Sequence, residues 1–251
     1  MNKDLIMNYL DELYPNAKCE LDYSKDYEFL VAVMLSAQTT DKSVNNVTRV
    51  LFKKYNTLEK LKDADVDDIA DIIRPIGTFN KKSVFVKEIA TYIYEECNGV
   101  VPNDINKLIK IPGVGIKTCN VVLSTLFDYP AIAVDTHVSR ISKRLNLAKD
   151  KDEPLVIEKK LEKYFPKERW SKLHHQLIWF GRYKCKALKP LCDDCKLKNI
   201  CKHNKKKIKW SSFILLIRIF QSNSFHLLFW KYIYMYYIYP KLFLFLVHIL
   251  N

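Results

Sequence analysis

The chain is predicted to be all-α, and three observations carry that expectation. Apolar residues recur at helical spacings of three and four, nothing alternates with period two for long enough to build a sheet, and the connections between periodic segments are short, with no internal repeat. In chain order, Asn2 is placed to cap a first helix whose apolar face is Leu5, Ile6, Tyr9, Leu10 and Leu13, and Tyr14-Pro15 ends it. The run YEFLVAVMLSA from Tyr27 to Ala37 is nearly all apolar, which predicts a helix buried on most sides. Asp41 is placed to cap a helix bearing Val44, Val47, Val50 and Leu51. Thr57 starts a short helix, Val66 to Ile73 makes a further one, and Asn80 to Cys97 makes a long one with Val84, Ile89, Tyr92 and Ile93.

The middle of the chain is organised around LIKIPGVGIKTCNVVLSTLFDYPAIAVD, Leu108 to Asp135. A short apolar helix ends over Ile109 to Ile111, Pro112-Gly113-Val114-Gly115 turns the chain, and a second helix opens near Ile116. Proline cannot continue the first helix, and glycines can take positive φ and bring bare backbone N–H groups up to a ligand. The second helix adds its partial positive end and unpaired amides, so the turn suits a phosphate. Lys117 stands on the first turn beside it. A helix hairpin that merely packs is the plain alternative for such a turn on its own.

Past Asp135, helices are predicted over Thr136 to Leu145, Glu153 to Tyr164 and Lys167 to Tyr183. The last carries His174 and His175, which as helical neighbours point about 100° apart and cannot chelate one ion as an i, i+4 pair can. They read as packing or polar-support residues.

Forty-one Lys and Arg against 28 Asp and Glu give a net charge of +13, which points to an anionic partner such as nucleic acid or an acidic membrane surface. Eight of those cations lie beyond Cys201, where there is no Asp or Glu, leaving only +5 for residues 1–201. Seven cysteines are an odd number, and the amino-terminal MNKDLIMNYLDEL reads as an amphipathic helix, not a secretory signal. A reducing cytoplasm fits this pattern. Cys19, Cys97 and Cys119 fall on helical patterns as small core residues. Cys185, Cys192, Cys195 and Cys201 are different: their spacing, C-x6-C-x2-C-x5-C, marks a metal or cluster loop, and ligand chemistry alone allows zinc as well as iron and sulfur. Lys184, Lys186, Lys189, Lys196 and Lys198 are interleaved with these thiols and are expected to meet phosphates.

IPGVGIKTCNVVL, followed by VDTH at Val134 to His137, closely resembles the helix-hairpin-helix DNA glycosylases, specifically the bifunctional endonuclease III branch. The resemblance covers about residues 1–206 and implies two helical lobes with a DNA-binding cleft between them. One lobe would span 20–129 and hold six helices with the hairpin; 1–19 and 130–206 would form the other, with the cysteine loop at 185–201. Lys117 would be the nucleophile and Asp135 its catalytic partner, excising oxidised pyrimidines from duplex DNA and cutting the abasic site by β-elimination through a lysine imine. Burial beside the positive helix end is expected to disfavour the charged form of Lys117. The cysteine spacing matches the family's four-iron four-sulfur (4Fe-4S) loop at every ligand, and Lys189 maps to a DNA-contacting lysine. Leu35 to Asp41, LSAQTTD, matches a run whose glutamine, here Gln38, enters the duplex where the damaged nucleotide is turned out. The wedge loop differs. Ile76-Gly77-Thr78-Phe79-Asn80 puts Thr78 where the family commonly has leucine. Gly113 and Gly115 would present the hairpin amides to DNA.

The implied partner is double-stranded DNA with damaged pyrimidines or abasic sites, bound by a monomer with no obligate protein partner, in the cytoplasm or on a bacterial nucleoid. An adenine mismatch glycosylase shares the fold, but has a glutamate general acid where Ala32 stands and lacks the lysine. A non-catalytic DNA-binding module would not need both Lys117 and Asp135. From Trp210 onward the sequence turns abruptly to Phe, Ile, Leu and Tyr. Lys231, Pro240 and Lys241 interrupt it as a membrane span, and 207–251 is expected to be an atypical tail outside the functional fold.

Overall fold

The computed structural model describes residues 2–204. The chain divides into one compact unit up to Ile200 and a second that begins at Cys201. Among the described residues every regular element is helical, as the periodicity predicts. The first unit contains α1 (Lys3–Leu13), α2 (Asp26–Leu35), α3 (Asp41–Lys54), α4 (Leu58–Lys62), α5 (Val66–Ile73), α6 (Phe79–Glu96), α7 (Ile105–Leu108), α8 (Ile116–Leu126), α9 (Thr136–Arg144), α10 (Pro154–Tyr164) and α11 (Trp170–Trp179). A 3-10 turn over Lys167–Arg169 leads into α11, and a π-helical turn over Phe180–Lys184 follows it. In the second unit a helical turn covers 202–204. The tail from 207 to 251 lies outside the described residues. No described helix is long and apolar enough to cross a membrane.

The core explains the order of the elements. α2 is ten residues long, too short to hold together in water alone, yet every residue from Tyr27 to Leu35 is buried. Each such Leu, Val or Phe contributes roughly 1.5–3 kcal/mol by leaving water, so tertiary burial and not propensity makes this helix. Helices α3 to α8 surround it with Val44, Leu51, Ile69, Ile73, Ile89, Ile93, Leu108 and Leu123 in one continuous cluster. A second group forms where α11 packs on α1 and α9. There Ile6, Leu10, Ile141, Leu173, Leu177 and Phe180 are buried.

Two caps differ from expectation. Asn2 occupies the cap position of α1 without a side-chain bond. Thr40, not Asp41, caps α3, its hydroxyl accepting from the Ser43 amide at 3.3 Å. Asp41 is drawn away because its carboxylate pairs with Arg182 at 2.7 Å. Arg182, from the π-helical turn, also binds Glu20, so one half-buried guanidinium ties the end of the α11 segment to the start of α3 and to the strand of chain before α2. Arg182→Met should leave two carboxylates facing each other without their cation. Loss of roughly 2–4 kcal/mol in urea unfolding is expected, on the scale of a broken buried ion pair.

Candidate active site

The hairpin between α7 and α8 is built on one glycine more than the other. Gly113 has φ +75°, and a Cβ there would stand 2.7 Å from Cγ of Phe85, so it is needed both for its backbone angle and for the ring packed on it. Ile111 and Val114 are buried on either side and anchor the turn. Gly115 is extended (φ −98°, ψ 171°) and caps α8 with its carbonyl, which accepts from the Cys119 amide at 2.9 Å. A Cβ at Gly115 would meet nothing within 4 Å, so what it supplies is open approach to the first turn of α8, with no left-handed angle required. Neither a side-chain cap nor an acidic residue occupies this helix start, which leaves its partial positive charge facing outward.

Lys117 stands exposed on that first turn. The expected burial is therefore absent: the open turn that admits a phosphate also leaves the amine in solvent. Asp135 is half-buried and caps α9, its Oδ1 accepting from the Val138 amide at 2.7 Å. His174 is fully buried within α11. Its Nδ1 has no hydrogen-bond partner. Burial holds this imidazole neutral. His175 packs beside it, the two rings tilted by 59° with centroids 4.9 Å apart, in keeping with packing and polar support.

His137, in the first turn of α9, is half-buried. Burial lowers its affinity for a proton, against the pull of Asp135. Its Nδ1 meets Nη2 of Arg140 at 3.1 Å, and that same guanidinium nitrogen donates to the Gly181 carbonyl at 2.9 Å. Gly181 is required here because a Cβ would stand 2.8 Å from that of His137. Arg140 and Arg144 were not marked by sequence reasoning, although their i, i+4 spacing one turn after Asp135 puts them on one face.

Gln38 and Thr78 lie in separate loops, both exposed and both with φ +57°. Lys189 is exposed in the cysteine loop with φ +49°. The five lysines of that loop do not all face outward as expected. Lys184 is buried and pairs at 2.6 Å with Asp194 of the loop itself, and Lys196 pairs at 2.5 Å with Glu12 of α1, on which the loop docks. Tyr9 of α1 and buried Leu197 complete that contact face.

Within the first unit, Cys185, Cys192 and Cys195 are half-buried thiols. The Cys195 amide donates to the Cys192 carbonyl at 3.2 Å, and the Cys195 thiol is pushed up by burial, with Cys185 adding to it. Arg144 Nη1 donates to Cys185 Sγ at 3.2 Å, a contact that suits a thiolate. Cys201 opens the second unit. Among the described residues, no three His, Cys, Asp or Glu side chains are gathered as a metal site. The all-sulfur donor set, with a cation already placed on one sulfur, fits an iron–sulfur group.

A helical hairpin with an open, positively polarised helix start, a lysine on it and an aspartate on the next helix defines a helix-hairpin-helix protein built to hold a phosphate backbone. Residues 31–167 match the family described as HhH-GPD superfamily base excision DNA repair protein. Endonuclease III of Bacillus subtilis (strain 168) is 44% identical over 206 residues, covering 82% of this chain and 94% of that protein. Endonuclease III of Escherichia coli (strain K12) is 41% identical over 201 residues, covering 80% and 95%. A trapped endonuclease III–DNA covalent intermediate superimposes with a TM-score of 0.77 at 44% identity, covering 83% of this chain and 99% of that one. A non-covalent endonuclease III–DNA complex gives 0.78 at 43% over the same shares. The chain belongs to the endonuclease III family of HhH-GPD superfamily base excision DNA repair proteins.

The buried imidazoles give this unit a pH dependence. Burial pushes His174 down to about 3 and His175 to about 4, whereas in the unfolded chain both titrate near ~6.5. The unfolded chain therefore binds more protons between those values, so stability is full above about pH 6.5 and falls as pH drops towards 4. Unfolding free energies from urea titrations at pH 7, 6 and 5 should decline by up to ~1.4 kcal/mol per pH unit for His174 at the steepest point. His174→Gln should flatten that slope while lowering stability at pH 7.

Proposed function

We propose that the chain is a DNA glycosylase with abasic-site lyase activity, acting on oxidised pyrimidines in duplex DNA during base excision repair. The observation that carries this is Lys117 exposed on the uncapped first turn of a hairpin helix, with Asp135 fixed as the side-chain cap of the next helix. A relative caught as a covalent intermediate with DNA supports a nucleophilic route.

In this reading the two helix groups are two lobes, and DNA lies across their junction with a phosphate on the amides of Gly113 to Lys117. Gln38 fills the stack vacated by the extruded nucleotide, Thr78 wedges beside it, and Lys189 meets the backbone. The Lys117 amine attacks C1′. A C–N bond to lysine forms, the glycosidic bond breaks, and its electron pair leaves with the base, which takes up a proton. The Asp135 carboxylate, fixed by its capping bond, stabilises positive charge at the sugar and accepts the proton released from the lysine nitrogen. The sugar ring then opens to the imine. Loss of a proton from C2′ expels the 3′ phosphate, and hydrolysis of the imine frees the enzyme. Lys117 must be neutral to attack, and DNA closing over the hairpin supplies the burial that the free protein lacks.

Cys185, Cys192, Cys195 and Cys201 would hold a 4Fe-4S cluster, whose contribution when bound is to cross-link the loop and its neighbouring cations and not to take part in base removal. The enzyme acts as a cytoplasmic monomer. An adenine mismatch glycosylase is disfavoured because Ala32, at the glutamate position, is fully buried in α2 and carries no carboxyl group.

Borohydride added during turnover should trap protein on DNA through Lys117. Lys117→Gln should still bind abasic DNA but give no trapped species and no strand cut. Asp135→Asn is the sharper variant, because asparagine caps a helix as well as aspartate does. Its melting temperature should hardly move while single-turnover excision falls by roughly 10²-fold or more. Trapping that persists in Lys117→Gln and maps elsewhere would overturn the assignment. Separately, purified protein should be brown with about four irons per chain, and Cys192→Ser should lose the iron; a colourless protein with one zinc would sink the cluster.

A further inference from the structure

Lys82 is a buried cation without an anion. It lies on the first turns of α6 and is only 5% exposed, yet among the described residues no carboxylate pairs with it. Its ammonium instead donates to the Leu35 carbonyl at 2.9 Å, the Ala37 carbonyl at 2.8 Å and the Thr39 hydroxyl at 3.2 Å. All three donor positions are thus spent on one short segment, where α2 has ended and its last carbonyls need partners. Burial pulls the lysine towards its neutral form, so the arrangement opposes the charge that it uses.

The segment so gripped carries Gln38. With the Leu35 and Ala37 carbonyls before it and the Thr39 hydroxyl after it turned in towards Lys82, Gln38 takes φ +57° and its side chain is left exposed. A second loop meets the same residue. Thr78 also has φ +57°, is exposed, and caps α6 with its carbonyl, which accepts from the Lys82 amide at 3.0 Å. A β-branched residue is disfavoured in the left-handed region, and such strain persists only where surrounding contacts over-determine it. Two strained, exposed, non-glycine residues from loops forty positions apart therefore meet at the first turn of α6: the first helical bond joins the Thr78 carbonyl to the Lys82 amide, and the Lys82 side chain grips the segment that carries Gln38.

We infer that Lys82 is a positioning residue that sets Gln38 and Thr78 as a single two-pronged element, so that both enter the duplex together as the damaged nucleotide is turned out. This rests on the proposed glycosylase function and on Gln38 and Thr78 as the residues that enter DNA. It assigns Lys82 no contact with the reacting atoms. The consequence is selective: losing the grip slows extrusion from an intact stack and spares chemistry on a nucleotide that is already unstacked.

The experiment compares Lys82→Met with the full-length wild type on thymine glycol placed opposite adenine and on the same lesion inside a small mismatch bubble. Single-turnover excision should fall about tenfold on the paired substrate and less than about twofold on the bubble. 2-Aminopurine beside the lesion should show a slower or smaller fluorescence rise for the variant. In a double-mutant cycle, Lys82→Met combined with Gln38→Ala should be no slower than the worse single variant, since one acts through the other. If Lys82→Met does not fold, Lys82→Gln, which can still donate to the carbonyls, carries the same comparison with a smaller selective loss. Equal slowing on both substrates, unchanged excision of the paired lesion, or additive losses in the cycle would overturn the inference. A wild-type protein inactive on both substrates would instead sink the glycosylase function, and this inference with it.

Discussion

Helix ends leave carbonyls without partners, and a protein made only of helices has no sheet edge to absorb them. Here that need is met by long basic side chains reaching into the loops. Lys82 takes the carbonyls after α2, Arg140 takes those of Gly181 and Cys185, and Arg144 takes those of Lys186 and Ala187. Lys25 does the same for Asn56. Segments that carry candidate site residues are thus held by cations donated into backbone, and the geometry of the site depends on those bonds more than on any side-chain pair.

This use of cations changes what the net charge means. A charge of +13 suggests a strongly basic surface, yet several of the cations are committed internally. Arg182 is held by Asp41 and Glu20, Arg169 and Lys172 by Asp11, and Lys184 by Asp194. With only +5 on residues 1–201, affinity for a phosphate backbone has to come from placement. The open start of α8 is one such placement, because helix amides bind an anion without a counter-ion of their own.

Sterics set the closeness of the elements around the site. Phe85 against Gly113 and His137 against Gly181 are two points where a single methyl group would push helices apart. Each brings a polar group to a neighbour that it could not otherwise reach: the hairpin amides to the surface beside α6, and the imidazole of His137 to Arg140. Close packing of this kind transmits small displacements, since interiors have little free volume to absorb them.

From the sequence alone, the helical class, nearly every helix boundary, the hairpin and the four-thiol spacing could be read. These are local: periodicity, proline, glycine and ligand spacing act within a few residues. The candidate roles of Lys117, Asp135 and Gln38 came from motif resemblance over equally short runs. What could not be read was decided over distance. That Asp41 would leave the cap of α3 for Arg182, that Lys184 and Lys196 would be consumed by carboxylates, and that Lys117 would stand exposed follow from which helices meet, and a residue's neighbours on other helices leave no trace in its own sequence window. His174 shows the division most clearly. Sequence spacing excluded it from chelating an ion with His175, but only the packing of α11 on α1 and α9 buried its imidazole, where it is held neutral.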